Sequence, residues 1–459
     1  SPGHVGANVE WLLGLAESGE WQAVLDGARR FGSASQGHPY AGLLEGLALQ
    51  RLGRSEGAQE RFSDAVPRLT ALERSQLEDP TSLLDPEQAG AYLALGAPER
   101  DVWLERFWGG LDPILSTDVN ERSVEHLARA SYALLRYGSV TSDPGRVWVR
   151  YGQPDRVRVV GEGSGSRTEF WDFGTGPDLT FRGLASESAH LSLTPEGRAY
   201  VDDLRRVLPH RYGARARPVF PLEGQVSRFR AQRPGATLVA IHADPSGLPE
   251  RLRGGSLEVN VFMVAPDGTT LSAERGRTLE EGSPLAIRVE AGPRVEDVVV
   301  EVRDRTTGAV ASLRERAHRA DSDVAEMSDL LLVRSAYPAQ GQLHLNGDWV
   351  RPISGPVLAD VVGVLFELYD VAAVSSWYRL RAEVEDLASG HLRSVPVEPA
   401  GEVGFRPTWD RHPAGRGPTP EFLNVWVGEV PPGRYRLRVW ADLPEAGIPL
   451  VAERTLVKA

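Results

Sequence analysis

Between Val9 and Leu69 the apolar positions recur every three or four residues, as in Trp11, Leu12 and Leu15, then Trp21, Val24, Leu25 and Ala28. That spacing places them on one side of a 3.6-residue helix, so the first stretch of chain reads as amphipathic helices. Gly19 and Gly53 interrupt the pattern 34 residues apart, and Pro39 opens the second pair of helices. A second helical stretch is expected from Asp85-Pro86-Glu87, where Asp suits the N-cap and Pro the first turn, through Val102-Trp103-Leu104 to Phe107-Trp108. A longer helix is predicted from about Asn120 to Tyr137, with Val124, Leu127, Ala128, Ser131, Leu134 and Leu135 on its buried face and Gly138 as its stop.

The period then changes. Val147, Val149 and Tyr151 alternate with Trp148 and Arg150, which predicts a strand entered by Pro144-Gly145 and left by Gly152-Gln153-Pro154-Asp155. Strand-like runs follow at Val157–Val160, Thr168–Phe173 and Leu179–Phe181, as a small antiparallel meander. The glycines around Gly163-Ser164-Gly165 are read as a hairpin tip, since a phosphate-cradling loop needs a helix N-terminus after it. One further helix is predicted from Pro195 to Val207, capped by Thr194. From Pro218 onward, short alternating runs are separated by Gly, Pro and Asp, including 236–241, 257–262, 285–289 and 298–302, then 363–369, 377–384 and 424–427. Such runs signal antiparallel sandwiches. Pro266-Asp267-Gly268 and Asp304 to Gly308 are the expected hairpin turns, and Arg406 to Pro420 reads as a long surface loop.

Composition narrows the classes. A chain of 459 residues with 41% hydrophobic residues holds several cores. A net charge of -12 disfavours a dedicated nucleic-acid binder, whose affinity comes from neutralising phosphates. There is no cysteine, which excludes disulfides, thiolate zinc sites and thiol nucleophiles, and Lys458 is the single lysine, which excludes lysine chemistry across the body of the chain. No apolar run approaches the roughly 18–20 residues that span a bilayer. Peripheral membrane association stays open, and a start at Ser1-Pro2-Gly3 leads us to expect that an N-terminal segment precedes the sequence.

Three resemblances follow from these residues. The spacing of Gly19 and Gly53, with Gly46, Ala58, Phe62 and Ala65 in the second unit, resembles tetratricopeptide repeats, which implies a groove for a peptide or protein. Arg106-Phe107-Trp108, Asp112-Pro113, Asn120-Glu121, Gly145-Arg146-Val147 and Tyr151-Gly152 with Pro154-Asp155 resemble the bacterial GWxTD-domain family. Ser328 to Leu331 and Leu365 to Tyr369 add to that likeness, whereas Ser139 to Asp143, at the place of the family signature, keep only its Asp. That resemblance implies an exported bacterial protein and supplies no reaction. Pro431-Pro432-Gly433-Arg434-Tyr435 resembles the tyrosine corner of immunoglobulin-like domains, with Tyr435 closing the corner through its hydroxyl and Leu437 where disulfide-bearing relatives carry Cys.

The expected architecture is therefore α+β and multidomain. It comprises a helical repeat-like region over 1–84, a mixed helical and β-meander domain over 85–217, and immunoglobulin-like antiparallel β-sandwiches over 218–335 and 336–459. The sequence holds no Gly-x-Ser-x-Gly elbow, His-Glu-x-x-His helix or lysine-bearing phosphate loop, so no catalytic residue, metal ligand or cofactor is expected. Glu125-His126, His242-Ala243-Asp244 and Asp321-Ser322-Asp323 come nearest to metal-ligand spacing, and each reads better as ordinary structure. Arg106, Trp108, Asp112, Asn120, Glu121, Arg146, Arg150, Tyr151, Asp155 and Trp171 are the candidates for a polar network or a partner site. Two functions are consistent with this. One is a non-catalytic protein-binding or scaffolding subunit on the periplasmic or extracellular side of a bacterial envelope. The other is a hydrolase or carbohydrate-active protein with a site between the helices and the meander, near Arg150, Tyr151, Asp155, Trp171 and Asp172.

Overall fold

A computed structural model describes residues 4–162, 166–174, 179–183, 190–191, 219–231, 233–243, 248, 252, 256–279, 285–317, 325–334, 352–353, 355–415 and 417–459. The chain forms two compact units. The first holds Ser1–Val219 with Asp267–Thr269, and the second holds Phe220–Pro266 with Thr270–Ala459. The predicted helix from Pro195 to Val207, the tip at 163–165, Asp244 and Asp321-Ser322-Asp323 lie outside the described residues.

The first unit opens with helices α1 (Val5–Glu17), α2 (Trp21–Ala34), α3 (Pro39–Arg51) and α4 (Ser55–Ala65). Gly19 and Gly53 stand just beyond the ends of α1 and α3 at φ +77° and +74°, a left-handed turn that glycine adopts without strain. A Cβ on Gly46 would come within 2.6 Å of the Phe62 ring, so its missing side chain lets α3 and α4 approach closely. Helices α5 (Ala71–Leu77), α6 (Pro86–Leu93), α7 (Ala97–Leu111), α8 (Glu121–Tyr137) and α9 (Asp143–Tyr151) follow, and α8 packs against α3, α4, α5 and α9. Asp85 caps α6 by accepting from the backbone N–H groups of Glu87 and Gln88, with Pro86 in the first turn. Asn120 does the same for α8 through Arg122 and Ser123. On α8 Val124, Ala128, Ser131 and Leu134 are buried, whereas Leu127 and Leu135 are half-buried.

The predicted strand at 147–151 is a helix. Ser142 accepts from Gly145 N as its N-cap, Pro144 stands in its first turn, and Pro144, Val147, Trp148 and Tyr151 fall at helical spacing on the buried side. Val147 and Tyr151 satisfy both periods, and the cap and Trp148 decide between them. Strands β1 (Arg156–Glu162), β2 (Ser166–Asp172), β3 (Leu179–Gly183) and β4 (His190–Leu191) then form an antiparallel sheet in chain order. Trp171, Phe173, Leu179 and Phe181 join one continuous core with the helices.

The second unit is built from strands alone apart from one helical turn, Val371–Val374, among its described residues. Strands β5 (Val219–Pro221), β6 (Gly224–Arg230), β7 (Thr237–Ala243), β8 (Leu257–Val264), β9 (Thr270–Leu279), β10 (Leu285–Ala291), β11 (Asp297–Asp304) and β12 (Val310–Arg316) form two sheets, ordered β10-β7-β6 and β5-β12-β11-β8-β9. Val239, Ile241 and Ile287 from one sheet meet Val259, Val298 and Val300 from the other in a shared core, so this is a β-sandwich. Strands β13 (Glu326–Met327), β14 (Leu331–Arg334), β15 (Val361–Tyr369), β16 (Tyr378–Asp386), β17 (Leu392–Val395), β18 (Val397–Pro399), β19 (Trp409–Arg411), β20 (Thr419–Trp426), β21 (Gly433–Leu443) and β22 (Ile448–Lys458) form a second one.

Two boundaries differ from expectation. Strands β13 and β14 pair with β15, so residues 326–334 belong to the second sandwich, ahead of the break placed at 336. The loop expected over Arg406 to Pro420 contains β19, which pairs with β16, and Trp409 Nε1 donates to Val397 O at 2.7 Å. Its Pro and Gly content concealed a short strand that is also held by the Asp410 to Arg379 ion pair at 2.7 Å. The turns at Asp267 and Asp304 cap their own hairpins, with Asp304 Oδ1 accepting from Thr306 N at 2.6 Å. Tyr435 Oη donates to Pro431 O at 2.9 Å, and Leu437 is fully buried.

Within the second unit the sandwiches meet through Phe229 and Ala240 on one side and Leu331, Val333, Leu365 and Phe422 on the other. Gln225 bridges them by donating to Leu332 O at 2.7 Å and to Ile353 O while accepting from Leu332 N. Arg454 on β22 donates to Leu330 O, Val226 O and Ser227 Oγ at 2.9, 2.6 and 2.9 Å. Burial lowers its pKa from the usual arginine range. Arg454→Met will therefore remove three hydrogen bonds, leaving Leu330 O only its bond from Ser227 Oγ, and destabilise the second unit by about 2 kcal/mol, with the partial exposure of the site limiting the loss. Urea unfolding of the intact chain measures this, and a midpoint unchanged from wild type would show that water replaces the guanidinium.

Candidate functional site

The residues singled out in the sequence stand at several places in the first unit. Asp112, Asn120 and Glu121 serve the turn from α7 to α8. There Asp112 Oδ1 accepts from Ile114 N, Asn120 Nδ2 donates to Trp108 O at 2.5 Å, and Glu121 accepts from Thr117 Oγ1 at 3.0 Å. Trp108 is half-buried, with its ring 5.0 Å from that of His126, and Arg106 is exposed on α7. Arg146 Nε donates to Thr141 O at the start of α9. Arg150 is fully buried and donates to Ser82 O at 3.0 Å, and its guanidinium lies over the ring of buried Tyr151. These contacts tie α9 to the preceding helices.

Asp155 and Trp171 belong to a different place. They line a cleft of about 360 Å3 within the first unit, with Glu17 from the end of α1, Tyr132, Arg136 and Tyr137 from α8, and Trp148 from α9. Gln153, Pro154, Val157, Val159 and Glu169 complete it. The sheet register explains the grouping: Val157 stands opposite Trp171 and Val159 opposite Glu169, and period two aims all four side chains to the same face. On the helical side Tyr132 and Trp148 stack at 3.9 Å between centroids, and Trp148 meets Trp171 edge-on at 6.1 Å.

The cleft is organised by charge as well as by rings. Glu17 Oε1 accepts from Arg136 Nε at 2.8 Å and from Tyr132 Oη at 3.2 Å. Glu169 Oε2 accepts from Trp171 Nε1 at 3.0 Å. Burial, reinforced by the nearby Glu17 carboxylate, raises the Tyr132 phenol far above its ordinary range. Burial and the neighbouring Tyr132 raise Tyr137 likewise, with smaller contributions from Glu169 and Glu17. Both phenols therefore remain O–H donors at neutral pH and do not act as bases. Trp148 Nε1 is buried without an acceptor.

Sequence reasoning missed Glu17, Tyr132, Arg136, Tyr137, Trp148 and Glu169 as site residues. The only local signal is the alternation of Glu169 and Trp171 on one strand face. His126 Nε2–H donates to Leu77 O at 2.9 Å and its ring is wholly buried. Among the described residues no group of three or more metal-ligating side chains converges, and no helix is long and apolar enough to cross a membrane.

No family model and no curated protein matches the sequence. Among solved structures, red sea bream transglutaminase aligns over 71% of this chain and 44% of its own, at 13% identity and a TM-score of 0.15. The serine-rich repeat protein Srr2 of Streptococcus agalactiae aligns over 51% of this chain and 92% of its own, at 9% identity and a TM-score of 0.19. The chain thus spans less than half the length of the transglutaminase, and likeness at these scores carries no argument about activity.

Proposed function

We propose that the chain is a non-catalytic binding or scaffolding component of a bacterial envelope, with GWxTD-like character in its first unit and a tetratricopeptide-like helical face as its docking surface. The observation that carries the reading is the open polar groove across α2, α3 and α4. Arg29, Glu45, Arg61, Asp64 and Arg68 surround a floor of small residues, Gly32, Ala41, Gly42 and Ala65, enclosing about 350 Å3. A floor without bulk lets a second polypeptide approach, and a charged rim gives it register. The equivalent left-handed turns at Gly19 and Gly53 support the repeat reading, and the Tyr435 to Pro431 hydrogen bond supports the immunoglobulin-like reading of the second sandwich.

The full-length tagged chain recovered from its native envelope will carry a stoichiometric protein partner. Reversing exposed rim charges, with Arg29→Glu and Arg61→Glu together, will reduce that recovery by about tenfold or more, as expected when like charges meet across an interface. Recovery of the chain alone across mild detergents and salts would defeat the reading. The carboxylate-lined cleft favours a second reading, a hydrolase or carbohydrate-active protein that takes its acid and base from Glu17, Asp155 and Glu169. Turnover of chromogenic glycosides that Glu17→Gln abolishes would establish it.

A further inference from the structure

The groove on α2 to α4 leaves the outer edge of the four-stranded sheet unused. We propose that strand β1 takes on an additional strand, an extended segment of a partner polypeptide in which apolar and acidic residues alternate. The inference rests on the protein-binding reading and names the chemistry its partner presents.

Three observations carry it. The first is the main chain. β1 stands first in the order β1-β2-β3-β4, and among the described residues its backbone over 156–161 bonds to β2 alone. Alternate residues of an edge strand turn their N–H and C=O groups outward, and an extended polypeptide offers donors and acceptors at the matching spacing. The pairing with β2 runs over seven residues in one unbroken register and β1 holds no proline, so this edge lacks the bulge or proline that commonly blocks such addition. The second observation is an open apolar row. Val157 and Val159 are 51% and 48% exposed on the face they share with Trp171, and every second side chain of an added strand would cover them. The third is charge on the opposite face. Arg156 and Arg158 are exposed there, and among the described residues no carboxylate pairs with either. Arg158 lies over the Phe170 ring at 4.6 Å, and Asp172, opposite Arg156, accepts instead from Gly174 N. Acidic side chains between the apolar ones of the incoming strand would meet these two arginines.

The test is calorimetric titration of the intact chain with the acetylated and amidated peptide Val-Glu-Val-Glu-Val, set against Val-Lys-Val-Lys-Val. Two further forms of the acidic peptide are N-methylated, one at its valines and one at its glutamates. Saturable binding of the acidic peptide, weakened by added salt and about tenfold tighter than that of the basic one, is the expected result. At least one N-methylated form will lose binding, because alternate residues of an added strand face the edge they join. The Arg156→Glu, Arg158→Glu double variant will reverse the preference, so that the basic peptide binds and shows the variant to be folded. Absence of binding by the acidic peptide, equal binding of the basic one, or full binding by both N-methylated forms overturns the proposal. So does a dimer of the intact chain in sedimentation that the double variant abolishes, which would make a second copy the occupant. If the envelope partner is recovered equally by wild type and by the double variant, the edge proposal fails and the scaffold reading stands. If the acidic peptide binds but no partner is recovered, the scaffold reading fails instead.

Discussion

Replacing Arg129 with Met will lower the stability of the helical unit by about 3–5 kcal/mol, because it removes the close partner of the Glu125 carboxylate in the core and leaves only the guanidinium of Arg122, 3.9 Å away. The two side chains are 5% and 6% exposed and meet at 2.5 Å. A second role adds to the loss. Arg129 Nη1 donates to Val149 O and Arg150 O at 3.1 and 3.0 Å, closing carbonyls at the end of α9 that have no partner within the helix. Arg129→Lys will rescue little, since a single ammonium cannot serve a carboxylate and two carbonyls in the geometry of the guanidinium fork. The Glu125→Gln, Arg129→Met double variant will recover much of the loss, because it removes the charge that has lost its close partner while the carbonyl contacts stay broken. Urea unfolding of the intact chain gives all three values. A loss below about 1 kcal/mol in the single variant would mean that water reaches Glu125 and that the pair behaves as a surface one.

What the sequence displayed, and what it concealed, divides along the distance over which a pattern acts. Asp85 and Asn120 announce α6 and α8 because a cap is a contact between residues two or three apart. Tyr435 announces its turn in the same way, four residues from its acceptor. At 142–151 two local patterns overlapped: alternation of Val147, Val149 and Tyr151 suggested a strand, while the Ser142 cap and the first-turn Pro144 specified a helix that the α8 and β2 aromatics then bury. The cleft was invisible for the opposite reason. Tyr132 and Glu17 are 115 residues apart, and nothing near either shows that α1 and α8 bring them together. Arg150 illustrates the same limit for the core. The sequence marks it as a candidate for a polar network or a partner site, but nothing near it shows that it is fully buried and donates to Ser82 O, 68 residues away.

Acid will destabilise the helical unit through His126 before most carboxylates are protonated. Burial, with a further contribution from the Arg129 charge and against the hydrogen bond to Leu77 O, lowers its pKa from 6.5 to about 4. The unfolded histidine therefore takes up a proton below about 6.5, whereas the folded one resists until about 4, so between those values the unfolded state binds more protons. The contribution is fully present above pH 6.5 and declines as pH falls toward 4, a loss of about 3 kcal/mol from a shift of this size. His126→Gln keeps an N–H for Leu77 O and removes the titration. Its stability will lie below wild type at pH 7 and fall less steeply with acid, so the two curves converge or cross before pH 4.5, about half a unit above the folded value. Parallel curves for the two proteins over pH 4–6.5 would show that His126 titrates normally in the fold. The two predictions are coupled, because Arg129→Met also removes a positive charge that holds the imidazole neutral. In that variant the folded His126 pKa rises, so less of its stability depends on pH, and the smaller acid slope distinguishes lost electrostatics from lost packing.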